Sequence, residues 1–346
     1  MKQIVVAITG LNAIDSPGPG VAVARAIREG FDRPVRIIGL AYENLEPGIY
    51  MEGICDKTYQ ISYPAAGSEI LFNHLKAIHE KEGLDLVIPN FDAEIPNFIA
   101  LSDRLNLIGI RTFMPTAEMF AARDKQRLSE FGRKHGFKVP RDLLIDHVGG
   151  LQRAGETFGY PLVVKGKFYE AVVAHTPEQA QKAFYAISAK WGLPIIVQEF
   201  IHGTEINIAA LGDGSGNMIS AIPMKKLYIT DKGKAWAGIT LDDDVLIQLA
   251  QQFIKATLWR GGFELEIMRH SSGDLYIMEI NPRFPAWIYL TAGAGQNQPA
   301  SLVKMAMGEN VKAFTEYDAG KLFIRYAWDM IVDVSRFQQF TALGEL

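Results

Sequence analysis

The sequence predicts a mixed α/β and α+β protein: an N-terminal parallel sheet flanked by helices, then a larger part built on antiparallel sheet. Three observations predict it. The first hundred-odd residues alternate short β-branched apolar runs with helical stretches, the pattern of a parallel sheet covered on both faces. From Ile195 the chain turns to strands joined by tight turns. The segments Gly262-Phe-Glu-Leu-Glu-Ile-Met-Arg269 and Leu275–Arg283 bracket the polar bend His270-Ser-Ser-Gly-Asp274, which reads as a β-hairpin.

In order, Ile4–Ile8 is a strand and Val21–Glu29 a helix behind the Asp15-Ser-Pro-Gly-Pro-Gly20 loop. Val35–Leu40 is a strand, Glu69–Lys81 a helix, Leu84–Pro89 a strand, Ile95–Leu105 a helix and Thr112–Met114 a short extended piece. A second part starts near Pro115, giving expected domains of 1–114, 115–194 and 195–346. Thr116–His135 is helical, with Thr116 as N-cap and Glu118 in the first turn. Leu162–Lys165 is a strand, and Pro177–Trp191 a helix with proline at its start. Ile195–Ile201, Glu205–Leu211, Met218–Pro223 and the Phe263–Ile280 hairpin supply the antiparallel strands, with helix Asp243–Leu258 between them. Asp213-Gly-Ser-Gly216 is a hairpin turn; a nucleophilic serine elbow would need a strand before it and a helix after it.

A chain of 346 residues can bury two or three cores. Its net charge of −4 offers no electrostatic reason for nucleic acid or an anionic membrane as partner. The lone Cys55 excludes an internal disulfide framework and suits a reducing compartment. No apolar run approaches the ~18–20 residues of a membrane span. The expectation is a cytoplasmic protein.

The hairpin carries the chemistry. If Ser272-Gly273 are the two central turn residues, Glu266 faces Glu279 and Glu264 faces Asn281. Carboxylates held that close repel unless one is protonated or a cation lies between them. Three carboxylates and a carboxamide on one face are hard oxygen ligands, suited to Mg²⁺. A slip of one residue would dissolve the cluster.

The words Glu279-Ile-Asn-Pro-Arg283, with Glu266 before them, resemble the metal-binding end of the ATP-grasp superfamily. That resemblance implies an N-terminal pre-ATP-grasp, Rossmann-like domain followed by a two-subdomain ATP-grasp fold. It implies two Mg²⁺ ions on Glu266, Glu279 and Asn281 (with Mn²⁺ as an alternative ion), and Arg283 steadying an acyl phosphate. Further words extend it. Arg123-Asp-Lys125 resembles the family's first phosphate lysine, and Tyr160-Pro-Leu-Val-Val-Lys165 its strand lysine. Gln198-Glu-Phe-Ile-His-Gly-Thr-Glu205 resembles the hinge, where Glu199 would face the adenine amine, Phe200 and Ile201 the purine edge, and Glu205 the ribose. Of Lys225 and Lys226, the better match to the family's γ-phosphate cation is Lys226. One departure stands out: Gly166-Lys-Phe-Tyr-Glu-Ala171 has one glycine where relatives have a glycine-rich phosphate flap, so phosphate contacts there are in doubt.

The resemblance implies a carboxylate–amine ligase that uses ATP, acting on small molecules or a peptide, with a homodimer left open. A bicarbonate-activating carboxylase or carbamoyl-phosphate-type enzyme is the first alternative, and a nucleotide-binding regulatory protein without turnover the second. On the substrate side, Gly18, Gly20 and Glu94 are the candidates, because ligands of open α/β sheets dock at strand ends. The Gly18/Gly20 pair is not a dinucleotide fingerprint, since it stands too far from the strand end. The scattered histidines lack metal-ligand spacing. Trp236, Trp259 and Trp287 read first as packing residues.

Overall fold

The computed structural model describes residues 3–121, 127–166 and 170–346. Strand β1 (Val5–Ile8) leads to α1 (Pro19–Glu29), β2 (Arg36–Ala41), β3 (Lys57–Gln60), α2 (Ser68–Glu82), β4 (Leu86–Ile88), α3 (Ile95–Leu107) and β5 (Arg111–Thr112). Then come α4 (Ala117–Ala121), α5 (Leu128–His135), β6 (Asp142–Ile145), α6 (Gly150–Phe158), β7 (Leu162–Lys165), β8 (Ala171–Ala174), α7 (Pro177–Trp191) and β9 (Ile195–Glu199). The remainder is β10 (Gly203–Asp213), β11 (Met218–Ile229), β12 (Ala235–Thr240), α8 (Asp244–Thr257), β13 (Arg260–His270), β14 (Leu275–Asn281), α9 (Tyr289–Gly293), α10 (Gln298–Ala306), β15 (Leu322–Ile324) and α11 (Val334–Leu343).

These elements group into two compact units. The first holds Met1–Phe120, Asn207–Glu264 and Asn281–Leu346; the second holds Ala121–Ile206 and Leu265–Ile280. The expected ranges 1–114, 115–194 and 195–346 divide the chain by order rather than by contact, and stay a proposal beside this grouping.

In the first unit, β3-β2-β1-β4-β5 form a parallel sheet. Alternation explains its two covered faces. Val5 and Ala7 join a core with Leu71, Leu75 and Ile78 of α2 and Phe98, Leu101 and Leu105 of α3. Val6 and Ile8 join another with Val23 and Ile27 of α1 and Leu302 and Val303 of α10. Strand β3 is short and flanked by polar residues, so apolar run-length does not reveal it. The first turn of α1 packs too tightly on the end of β1 for a side chain: a Cβ on Gly20 would stand 2.2 Å from the Thr9 carbonyl oxygen.

A second sheet runs β14-β13-β10-β11-β12-β15. Helix α8 starts where Asp243 accepts hydrogen bonds from the Val245 and Leu246 amides, at 3.1 and 3.3 Å. In the second unit, β6-β9-β7-β8 form an antiparallel sheet. Helices α6 and α7 cover it through Leu151, Ala154, Ala180, Phe184 and Ile187. The single helix expected over Thr116–His135 is described as α4 and α5, with residues 122–126 outside the described chain.

Candidate active site

In the first unit the site begins at Glu264, 5% exposed on β13. Its Oε1 accepts from Asn207 Nδ2 at 2.8 Å and from Trp287 Nε1 at 2.7 Å. Its Oε2 accepts from Asn281 Nδ2 at 3.1 Å. Glu264 is therefore a buried clamp rather than an open ligand. Because the Asn281 amide nitrogen donates to it, the Asn281 side chain has a fixed orientation. Trp287, read first as a packing residue, is 5% exposed and supplies one of the clamp's donors.

Arg283 stands beside the clamp, its NH1 3.9 Å from Glu264 Oε2. Its Nε donates to Asp92 Oδ2 at 3.0 Å. The segment Asn90–Glu94 thus meets Arg283 through Asp92, which the sequence did not single out. Glu94, the expected substrate contact, is instead fully buried. Its Oε1 accepts from the amides of Asn90 at 2.6 Å and Phe91 at 2.9 Å and from the Thr9 hydroxyl, and its Oε2 from the Tyr42 hydroxyl. Burial lifts its pKa to about 7 against those four donors. Gly18 and Gly20 are explained by close backbone approach, with Gly20 N donating to Gly10 O at 2.9 Å.

Lys226 Nζ donates to Gly233 O at 3.2 Å, while Lys225 on the opposite face of β11 is exposed. Lys234 has a lowered pKa, from burial first, and the fields of Lys232, Arg283 and Arg325 act in the same direction against Asp15. Burial lowers Arg325 to about 10, and its guanidinium donates to the Ser16 hydroxyl. Sequence reading passed over Arg325. The apolar run around it hid a cation that depends on the loop after β1.

In the second unit, Lys165 ends β7 and donates to Gln198 Oε1 at 2.6 Å. Glu199 ends β9. Its Oε1 accepts from the Arg141 amide at 2.8 Å and its Oε2 from Arg141 Nε at 2.6 Å. The Phe200 ring stands edge-on to His202 at 4.7 Å, and Ile201 is buried. Glu205 is partly buried at the start of β10. Gly166 N donates to Glu170 O at 3.1 Å, closing the glycine-poor loop, whose residues 167–169 lie outside the described chain. Lys125 also lies outside the described residues.

The hairpin turn corrects the expected register. His270 N donates to Asp274 O and Gly273 N to His270 O, both at 2.9 Å, with Gly273 at φ 90°. The connection is thus a three-residue loop with a left-handed glycine, not a two-residue turn centred on Ser272-Gly273. Counted from the turn, Glu266 falls opposite Met278. Among the described residues no three His, Cys, Asp or Glu side chains gather closely enough to hold a metal. The three-carboxylate face does not form, because Glu264 is committed to the clamp.

Comparison with known proteins bears on this geometry. Residues 193–326 match a family model described as ATP-grasp in the biosynthetic pathway with Ter operon. A phosphoribosylamine–glycine ligase from Synechocystis is 27% identical over 59% of this chain and 54% of its own length. The carbamoyl phosphate synthase large chain of Campylobacter jejuni is 23% identical over 61% of this chain and 20% of its own. The chain thus spans between a fifth and about half of these relatives. Its fold superposes on biotin carboxylase from Campylobacter jejuni with a TM-score of 0.72, at 16% identity, over 93% of this chain and 74% of that one.

Residues 193–326 thus resemble the ATP-grasp family, and the chain shares the fold of that biotin carboxylase. It superposes as well on the N5-carboxyaminoimidazole ribonucleotide synthetase of Thermus thermophilus, with a TM-score of 0.67 and 17% identity over 90% of this chain and 80% of that one. Among the described residues, no helix is long and apolar enough to cross a membrane.

Proposed function

We propose that this protein is a Mg²⁺-dependent ATP-grasp ligase that activates a carboxylate as an acyl phosphate for attack by an amine or similar nucleophile, with release of ADP and phosphate. The observation that carries the reading is the clamp: Glu264 accepts from the Asn281 amide nitrogen and so fixes that side chain, two residues before an arginine that Asp92 orients. An asparagine so fixed is fitted to present one hard oxygen to a cation.

In this reading Glu266, Glu279 and Asn281 would hold the metal, which supplies charge neutralisation of the polyphosphate when bound. Lys125, Lys165 and Lys226 would hold phosphates. Glu199, with the backbone of Phe200 and Ile201, would take adenine, and Glu205 the ribose. Arg141 already occupies Glu199, so the adenine amine would share that carboxylate with it. Arg283 would bind the acyl phosphate oxygens through its planar fork. On the substrate side Asp92 replaces Glu94 as the acidic residue of choice. The weakly compensated cations Lys234 and Arg325 suit an anionic substrate group, since a buried charge seeks a counter-charge.

The relatives' names support two substrate classes. The glycine ligase favours a carboxylate joined to an amine. A carboxylase neighbour crystallised with MgADP and bicarbonate favours bicarbonate as the activated acid. The test is a screen of phosphate release from ATP with Mg²⁺ against amino-acid and small-carboxylate pairs, run with and without bicarbonate. Release that needs a carboxylate and an amine supports the first class, and release on bicarbonate alone moves the reading to the second. Release with neither, or none with any pair, contradicts the ligase assignment.

A further inference from the structure

Among the described residues, strand β15 is the last strand of its sheet and bonds on one side, to β12, with Leu322 opposite Ile239, Phe323 opposite Gly238 and Ile324 opposite Ala237. Lys321 O accepts from Thr240 N, and Arg325 N donates to Trp236 O, both at 2.9 Å. Alternation along an antiparallel strand then turns the backbone N–H and C=O of Leu322 and Ile324 outward. The same segment carries a stripe of large apolar side chains. Leu322, Ile324, Tyr326 and Trp328 are 50, 67, 73 and 74% exposed. Tyr326 and Trp328 share one side, with ring centroids 5.6 Å apart in an edge-on pair. A free edge with an apolar stripe invites strand pairing, and soluble chains normally blunt such edges with charge. Here Lys321 and Asp329 stand at the two ends of the stripe, and Arg325 between them is engaged with Ser16.

We propose that this edge joins two copies of the chain, β15 pairing antiparallel with its counterpart about a two-fold axis at Arg325. The sequence Lys321-Leu-Phe-Ile-Arg-Tyr-Ala-Trp-Asp329 is self-complementary in that register. Lys321 lies opposite the partner's Asp329, Leu322 opposite the partner's Trp328, and Ile324 opposite the partner's Tyr326. Aliphatic–aromatic and opposite-charge pairs are the favourable cross-strand combinations. An isologous contact requires this reciprocity, in which each patch meets its own copy. At the axis the like charges turn away, because the Arg325 guanidinium is drawn to Ser16 within its own chain. Moving the axis to Ile324 would set Lys321 against Ala327 and lose both charge pairs. Lys321 now pairs with Asp318 at 3.1 Å, an exposed contact that exchanges readily.

Sedimentation of the intact chain across a micromolar concentration series tests this. The expected result is a monomer–dimer equilibrium. Lys321→Glu and Asp329→Lys should each weaken it by about tenfold or more, the cost of setting like charges opposite each other, while the double exchange restores it. Ile324→Arg should leave a folded monomer, since that side chain is exposed. A chain that stays monomeric at tens of micromolar overturns the proposal. So does a dimer indifferent to Lys321→Glu and Ile324→Arg, which would use another face, and so does a double exchange that fails to rescue, which would refute the register.

Discussion

Arg283 gives the residue-scale test of the proposed chemistry. Its fork is held by Asp92 beside the Glu264 clamp. If charge develops on oxygens next to it in the transition state, Arg283→Lys keeps the charge and loses the geometry. Turnover should fall on the order of 10²-fold, typical of one lost preorganised donor. ATP affinity should change little, because base and ribose are assigned to Glu199 and Glu205. A collapse of nucleotide affinity with the saturated rate intact would make Arg283 a ground-state ligand instead. Glu94 yields a different prediction. Its carboxyl is protonated more readily folded than unfolded, with a folded pKa of about 7. The stability this gives is complete below the unfolded value and is lost as pH rises through about 7, up to roughly 3 kcal/mol. Tyr42, which donates to Glu94, and Glu46, which accepts from the Tyr42 amide, are both raised by burial. Thermal stability should therefore decline between about pH 5 and about pH 8. Glu94→Gln should flatten that slope, and an unchanged slope would place its origin elsewhere.

At the scale of elements, the sequence was legible where local chemistry and burial agree. Strand Leu162–Lys165 and helix Pro177–Trp191 match their expected bounds, the helix because Thr176 caps it by accepting from Gln179 N at 3.3 Å. Strands β3, β8, β12 and β15 were not read, because each is short or half-exposed and depends on a neighbouring strand more than on its own pattern. The hairpin was read and its turn was not. Left-handed Gly273 adds a residue to the loop, and nothing in an apolar/polar pattern distinguishes a two-residue from a three-residue connection. The first turn of α1 gives the element-scale prediction. Gly20→Ala sets a methyl 2.2 Å from the Thr9 carbonyl oxygen, with backbone on both sides and no flexible atom to yield. It should cost about 1–3 kcal/mol in urea unfolding. An unperturbed midpoint would mean that the loop relaxes freely.

For the whole molecule, the fold was legible because a few short words recur at ordered positions along the chain. The site was legible only in part. Asp92, Asn207, Trp287 and Arg325 come from strands and loops distant in sequence, and only folding brings the first three to Arg283 or the Glu264 clamp and sets Arg325 against Ser16. Glu264 shows the limit best. On sequence it is a third metal carboxylate, and in the fold it holds the side chain that would be the ligand. The central claim is that the chain binds an adenine nucleotide with Mg²⁺ through the hinge acids and the hairpin. Calorimetric titration tests it most directly, with ATP or ADP in the presence and absence of Mg²⁺, with NAD as control, and with Glu279→Gln as the variant. The account predicts Mg²⁺-dependent binding of ATP and ADP, none of NAD, and loss of the Mg²⁺ dependence in the folded variant. Micromolar binding of NAD with none of adenine nucleotides and Mg²⁺ would contradict it.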